Sequence, residues 1–351
     1  MISFIIPAHN EEAALARTLP AIHAAAASGA PGRPYEIIVA DDASTDGTAA
    51  VARRHGAVVV PVQHRQISAT RNSGARAAQG DRFFFIDADT IINGRVVKAA
   101  LRCMDNGAAG GGAAPRFDSP VPVYVRIIEP LAALLSKLAG VCGGACLFCT
   151  SAAFHKTGGF NERVFAGEEG FFIFALKQQG RFILVWPRVL TSGRRLRTMS
   201  GLQILASVAR IACKPTVGVT QRSNVQHIWY DSNRARDSIL PRTWAVRLSN
   251  AVTLVLLLLW LTGPAWNFIP WSWTPRGSAL GYFRMADGFF LSHVGLILWP
   301  IAGVLLWTLM HRRNWIEWFK TAALLAFCTW QAWDSTYGVI WHWKEIWHWL
   351  A

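Results

Sequence analysis

The stretch RFFFIDADT, Arg82 to Thr90, decides how the rest of the chain is read. Phe83 to Ile86 form a short, continuous apolar run. Such a run suits a strand buried on both faces, as in the parallel sheets of α/β proteins. The run ends on Asp87 and Asp89. In open α/β sheets ligands collect beyond the carboxyl ends of the strands. The acidic pair therefore stands where chemistry is expected.

The pattern repeats outward from this stretch. SFIIP (3–7), EIIVA (36–40) and AVVVPV (57–62) are further short apolar runs. Ala-rich stretches at 11–28, 47–55 and 68–79 separate the runs, and another helix is expected at 95–104. Strands alternating with helices of these lengths predict an α/β fold, a doubly wound, mostly parallel, Rossmann-like sheet. Two other strand ends are also polar: PAHNEE (7–12) and ADDASTDGT (40–48). Three such clusters converge on one crevice in this topology. A spacing of two lets one carboxylate reach a divalent metal while the other meets a sugar hydroxyl or a metal-bound water. Hard carboxylate oxygens suit Mg²⁺ or Mn²⁺ bound together with substrate phosphates. The competing reading of the pair is a turn and cap before the helix at 95–104. In ADDASTDGT, Asp46 or Ser44 is expected to cap a helix and Asp42 to face the ligand.

Composition bounds the rest. The chain has 351 residues, is 52% hydrophobic, and carries a net charge of +14. Six cysteines in a chain of this length do not make a disulfide scaffold. The first residues read as a strand, with no basic n-region before an apolar core, so the N-terminal part is expected to stay in the cytoplasm. The tryptophans concentrate after residue 240. There LSNAVTLVLLLLWLTG (248–263) and FFLSHVGLILWPIAGVLLWTLM (289–310) are long apolar runs that predict transmembrane helices, with 320–341 as a third candidate. Arg234, Arg236, Arg242 and Arg247 precede the first run, and His311, Arg312, Arg313 and Lys320 follow the second. Positive-inside logic then places the N-terminal domain on the cytoplasmic side of a multi-pass inner-membrane protein. The expected division is a catalytic domain at 1–200, a basic amphipathic interfacial segment at 201–243 and a membrane domain at 244–351.

Taken in order, FIIPAHNEE, VADDASTDGT, RNSGARAAQGD, FIDADT and GGFNE…GEE resemble the inverting family 2 glycosyltransferases of the GT-A fold. The resemblance covers about residues 1–200. It implies a hexosyltransferase that uses a nucleotide-sugar donor and a lipid-linked or glycan acceptor. It implies that Pro7, Ala8, His9 and Glu11 cradle the nucleoside, that Asp42 bonds the base, and that Arg71 helps on the nucleotide side. Asp87 and Asp89 would bind ribose and the metal. Glu169, of the pair Glu168–Glu169, takes the place of the base that deprotonates the acceptor. In the family, the small-residue strand in CGGACLFC (142–149) lies under the donor sugar, and Gly143 and Gly144 let backbone approach it. Arg194, Arg195 and Arg197 are expected either to neutralise the leaving diphosphate or to meet anionic headgroups.

Two other classes remain open on sequence alone. Cys142, Cys146 and Cys149 resemble the cluster ligands of a radical S-adenosylmethionine enzyme, which makes an iron–sulfur protein the alternative. A non-catalytic nucleotide-binding membrane scaffold is the second. Nucleic acid is not an expected partner, because the basic residues flank the apolar runs and no recognition motif is present.

Overall fold

The computed structural model describes residues 1–118, 120–198, 200, 201, 203, 246 and 248–251. The chain divides into Met1–Asn250 and Ala251–Ala351. The amphipathic segment at 201–243 and the expected spans at 248–263, 289–310 and 320–341 lie outside the described residues but for 201, 203 and 248–251. Among the described residues no helix is long and apolar enough to cross a membrane.

The first half follows the strand–helix alternation. Strand β1 (Ile2–Ala8) leads into α1 (Glu12–Gly29), β2 (Tyr35–Asp42) into α2 (Thr48–Arg54), and β3 (Val58–Val62) into α3 (Ile67–Ala77). Then come β4 (Arg82–Ile86), the two-residue β5 (Thr90–Ile91) and α4 (Gly94–Asp105). The second half comprises β6 (Gly110–Phe117), α5 (Val123–Ala139), β7 (Cys146–Thr150), α6 (Ser151–Thr157), α7 (Glu168–Gln179), β8 (Phe182–Thr191) and α8 (Arg194–Thr198).

The strands form one eight-stranded sheet in the order β3-β2-β1-β4-β7-β6-β8-β5. Both faces of its centre are covered, and this explains the continuous apolar runs. Phe84 and Ile86 pack with Leu15 and Leu19 of α1 and Val96 and Val97 of α4. Phe83 and Phe85 point the other way, toward Phe154 of α6 and Phe172 of α7. Alternation at a period of two sends neighbours to opposite faces, so a strand covered twice must be apolar at every position. Strand β3 lies at the edge, where the missing N–H of Pro61 is tolerated.

The expectation of a mostly parallel sheet holds for six of the eight strands, and the other two, β7 and β5, make the sheet mixed. β3, β2, β1 and β4 are mutually parallel. β7 runs antiparallel to both β4 and β6, and β5 antiparallel to β8, while β6 and β8 are parallel. The sheet is mixed because apolar runs report burial and say nothing of strand direction. The reversal matters for the site. Ile86 pairs with Cys146, so the loop that precedes β7 arrives beside the end of β4.

Candidate active site

The site starts where β4 stops. The Asp87 N–H donates to the Ala145 carbonyl at 3.2 Å, and Thr90 N–H donates to the Asp87 carbonyl at 2.9 Å. This turn lifts Asp87 and Asp89 out of the sheet. On the far side, Thr90 and Thr191 bond through their hydroxyls at 2.9 Å, which ties the end of β5 to β8. The turn reading of the pair is therefore true of the backbone, while the helix that follows is capped by Asn93, whose side chain accepts from Val96 N–H.

Arg71 is the centre of the arrangement. It projects from α3 and is 1% exposed. One guanidinium nitrogen donates to Asp87 Oδ1 at 2.7 Å, and the other to Glu168 Oε1 at 2.9 Å. The first also reaches the Gly144 carbonyl at 3.3 Å, and the ring of Phe160 lies 5.1 Å from the guanidinium carbon. The planar fork of Arg can serve two carboxylates at once, which the point charge of Lys cannot. Burial works to lower the Arg71 pKa, but Asp87, Glu168 and Glu169 outweigh it and hold the group above its ordinary value. The sequence suggested a nucleotide-side Arg or a loop-bonded one. The structure makes it a buried tie between the DADT turn and the Glu168–Glu169 pair.

Glu168 and Glu169 open α7, a place where the helix dipole favours carboxylates. Glu168 is buried against Arg71. Glu169 is half-buried beside it. Burial and the Glu168 carboxylate push Glu169 up to about 7, against the pull of Arg71. A carboxyl poised there can take or give a proton near neutral pH.

Helix α3 also holds the flanking loops. The Gln66 amide donates to the carbonyls of Glu162 at 2.6 Å and Val164 at 3.0 Å. Asn72 donates to the Phe160 carbonyl at 2.9 Å and to Glu162 Oε1 at 2.8 Å. GGFNE is thereby pinned to RNSGA, across a separation that neither motif reveals by itself.

At the other end of the crevice stands Asp42. Its Oδ1 accepts from the backbone N–H groups of His64 at 2.7 Å and Arg65 at 2.8 Å. Its Oδ2 accepts from Gln66 N–H at 3.2 Å and the Thr70 hydroxyl at 2.9 Å. A carboxylate has about four lone-pair sites, and all are used. In this structure Asp42 organises the loop into α3. The His9 Nδ1–H donates to the Asp42 carbonyl at 2.7 Å, and this tautomer leaves Nε2 to accept from Asn10 at 3.1 Å and from Arg65. Asn10, Ala43 and Arg65 all adopt left-handed backbone conformations, with φ of 55°, 53° and 52°. Each costs on the order of 1–3 kcal/mol and persists only when the surroundings over-determine it. Sequence reading missed Arg65 because no local pattern marks it. Pro7 and Ala8 are buried at the end of β1; Asp46 accepts from Thr48 N–H, while the N-cap of α2 is Gly47, which makes no side-chain cap.

Arg194 closes the crevice from α8. It pairs with both oxygens of Glu11, one at 3.0 Å, and stands 3.5 Å from Asp89 Oδ2. Burial lowers its pKa, yet Glu11, Asp89 and Asp87 hold it above the ordinary value. Arg197 instead bonds Asp118 at 2.8 Å, which also accepts from Gly193 N–H. The side chain of Arg195 lies outside the described residues. The structure thus brings Glu11, Arg194 and Asp89 together and sets Arg197 apart from them. Among the described residues no group of three or more His, Cys, Asp and Glu side chains forms a metal cage.

The cysteines do not gather. Cys146 packs into the core on one face of the sheet and Cys149 into the core on the other. Three thiolates cannot meet one cluster from opposite faces, and burial raises all three pKa values, Cys142 to about 12. Only Cys146 to Thr150 are strand, so Gly143 and Gly144 precede it. A Cβ at Gly144 would stand 2.8 Å from Arg71, whereas one at Gly143 would meet open space. The bare backbone at Gly144 makes room for the Arg71 guanidinium.

The family described as Glycosyl transferase family 2 matches residues 3–151. An uncharacterised glycosyltransferase of Mycobacterium tuberculosis is 34% identical over 107 residues, 30% of this chain and 45% of its own length. An undecaprenyl-phosphate 4-deoxy-4-formamido-L-arabinose transferase of Pseudomonas paraeruginosa is 38% identical over 100 residues, 25% of this chain and 28% of that one. The chain thus spans less than half the length of these relatives. A mannosyltransferase of Pyrobaculum calidifontis, solved with GDP-Man and Mn²⁺, aligns with a TM-score of 0.46 at 17% identity over 97% of this chain and 87% of its own.

Proposed function

We propose that the chain is a membrane-bound glycosyltransferase. It moves a hexosyl group from a nucleoside-diphosphate sugar to a lipid-linked or glycan acceptor by inverting single displacement. The observation that carries this reading is the buried Arg71 tie. It joins Asp87 of the DADT turn to Glu168 and leaves Glu169, raised to about 7, at the same crevice.

Each residue then has a part. The His9 to Glu11 segment and the loop shaped by Asp42 form the nucleoside end. Asp87 and Asp89 offer hard oxygens, and with donor phosphates and water they suit Mg²⁺ or Mn²⁺, which would offset charge on the leaving diphosphate. Arg194, already between Glu11 and Asp89, adds a cation on the same side. Glu169 accepts the proton of the acceptor hydroxyl as its oxygen attacks the anomeric carbon. The bond from that carbon to the diphosphate breaks on the opposite side, and its electron pair leaves with the nucleoside diphosphate.

The apolar runs after residue 247 and their basic flanks support an inner-membrane protein whose catalytic domain faces the cytoplasm. A lipid-linked acceptor suits that setting, and a relative named for undecaprenyl-phosphate supports the same choice. The test is donor turnover by the full chain in detergent, across a panel of nucleotide-sugars with Mn²⁺. Asp89→Ala and Glu169→Gln are each expected to lower turnover by about 10²-fold or more. Unchanged turnover in both would overturn the site.

A further inference from the structure

Helix α5 contradicts the usual rule for a helix apolar on most sides, which is to be buried. At 3.6 residues per turn, positions 123, 127, 130, 134 and 137 fall within an arc of about 80° and run nearly the full helix, about 21 Å. Val123 is 62% exposed, Ile127 48% and Leu134 49%, with Pro130 exposed between them. The stripe ends at Lys137, whose ammonium sits 3.0 Å over the ring of Trp186, itself 79% exposed on β8. An exposed apolar ridge of this length is costly unless something covers it.

The charges around the ridge say what covers it. Arg126 is exposed on α5, and Arg116 is exposed at the end of β6, against which the helix packs. The acids nearby are already spoken for: Glu129 by Arg188 at 2.7 Å and the Phe117 N–H, and Asp118 by Arg197. The surface is apolar along its middle and cationic at its margins, with a Trp–Lys pair at one end. Exposed tryptophan beside an apolar helix face characterises elements that lie in the headgroup layer.

We infer that the outer face of α5, together with Trp186, seats on an anionic lipid surface. The inference rests on the proposed membrane setting and adds where the catalytic domain touches the bilayer. Its consequence is geometric. Three residues beyond the helix, Cys142 lies close enough to Glu169 for that carboxylate to help raise its thiol pKa. The chain leaving α5 therefore passes beside the proposed base.

The experiment places a photoreactive benzoyl-phenylalanine, one at a time, at Ile127, Leu134 and Trp186 in the full chain. The control position is Val58, 53% exposed on the edge strand β3. Each protein is reconstituted into vesicles of phosphatidylglycerol and phosphatidylcholine, irradiated, and analysed by mass. Phospholipid adducts are expected at the three positions and not at Val58. Replacing the phosphatidylglycerol by phosphatidylcholine should lower their yield by about five-fold or more, from the loss of basic-residue contacts with anionic lipid. Adducts to a second copy or another polypeptide, no adducts, equal labelling at Val58, or a yield indifferent to lipid charge would each overturn the inference. Failure of the membrane setting itself looks different, because the chain would then not remain with the vesicles at all.

Discussion

At the scale of single residues, the site depends on a charge balance around Glu169. Its folded pKa of about 7 lies above the ordinary 4.5, so the fold retains a proton that the unfolded chain gives up between these values. Folding stability from this group is therefore highest below about 4.5 and declines as pH rises through about 7. Proposed activity runs the other way, because Glu169 as the proposed base must be ionised, and the acid limb of the rate profile should rise through about pH 7. Two neighbours move that limb in opposite directions. Glu168→Gln removes the like charge and is expected to shift it to lower pH. Arg71→Met removes the stabilising cation, shifts the limb to higher pH, and leaves Asp87 and Glu168 without their partner, a loss of about 3–5 kcal/mol in stability. Rate profiles of both variants with thermal unfolding check the signs; limbs moving together would defeat the account.

At the scale of elements, α3 and β6 determine whether the crevice exists. Helix α3 and its N-cap carry Gln66, Thr70, Arg71 and Asn72, which between them hold Asp42, the DADT turn and the 159–168 loop. It lies close on the sheet because a Cβ at Gly74 would stand 2.7 Å from Ile5. Strand β6 is tighter still. A Cβ at Gly111 would come within 2.0 Å of the Ile183 carbonyl and 2.4 Å of the Phe148 ring, and backbone cannot rotate away. Gly111→Ala is expected to cost about 1–3 kcal/mol by overpacking, measured as a lower denaturation midpoint. A midpoint unchanged from the parent would mean that β6 and β8 are not packed as described.

At the scale of the whole molecule, the proposed orientation is open to a direct measurement. Protease added to inside-out membrane vesicles should cleave the N-terminal domain, and right-side-out vesicles should protect it. The opposite pattern would reverse the positive-inside assignment.

How much could be read beforehand follows from how local each signal is. The strands and helices of the first half were legible, because burial on two faces leaves continuous apolar runs and α/β alternation leaves a period. That acidic residues stand at the strand ends was legible for the same reason; the parts given to Asp87, Asp89, Glu168 and Glu169 are proposals. Strand direction in the second half was not, since β7 reads as apolar whichever way it runs. Nor were the partners. Arg71 meets Glu168 across 97 residues, and Arg194 meets Glu11 across 183. The full occupation of Asp42 and the left-handed Arg65 also required the assembled loops. Sequence by itself determined the elements and the chemistry available at their ends, because periodicity and turn formers act over a few residues. Only the tertiary structure decided which charges neutralise one another, because an ion pair depends on distance in space and leaves no mark at a distance along the chain.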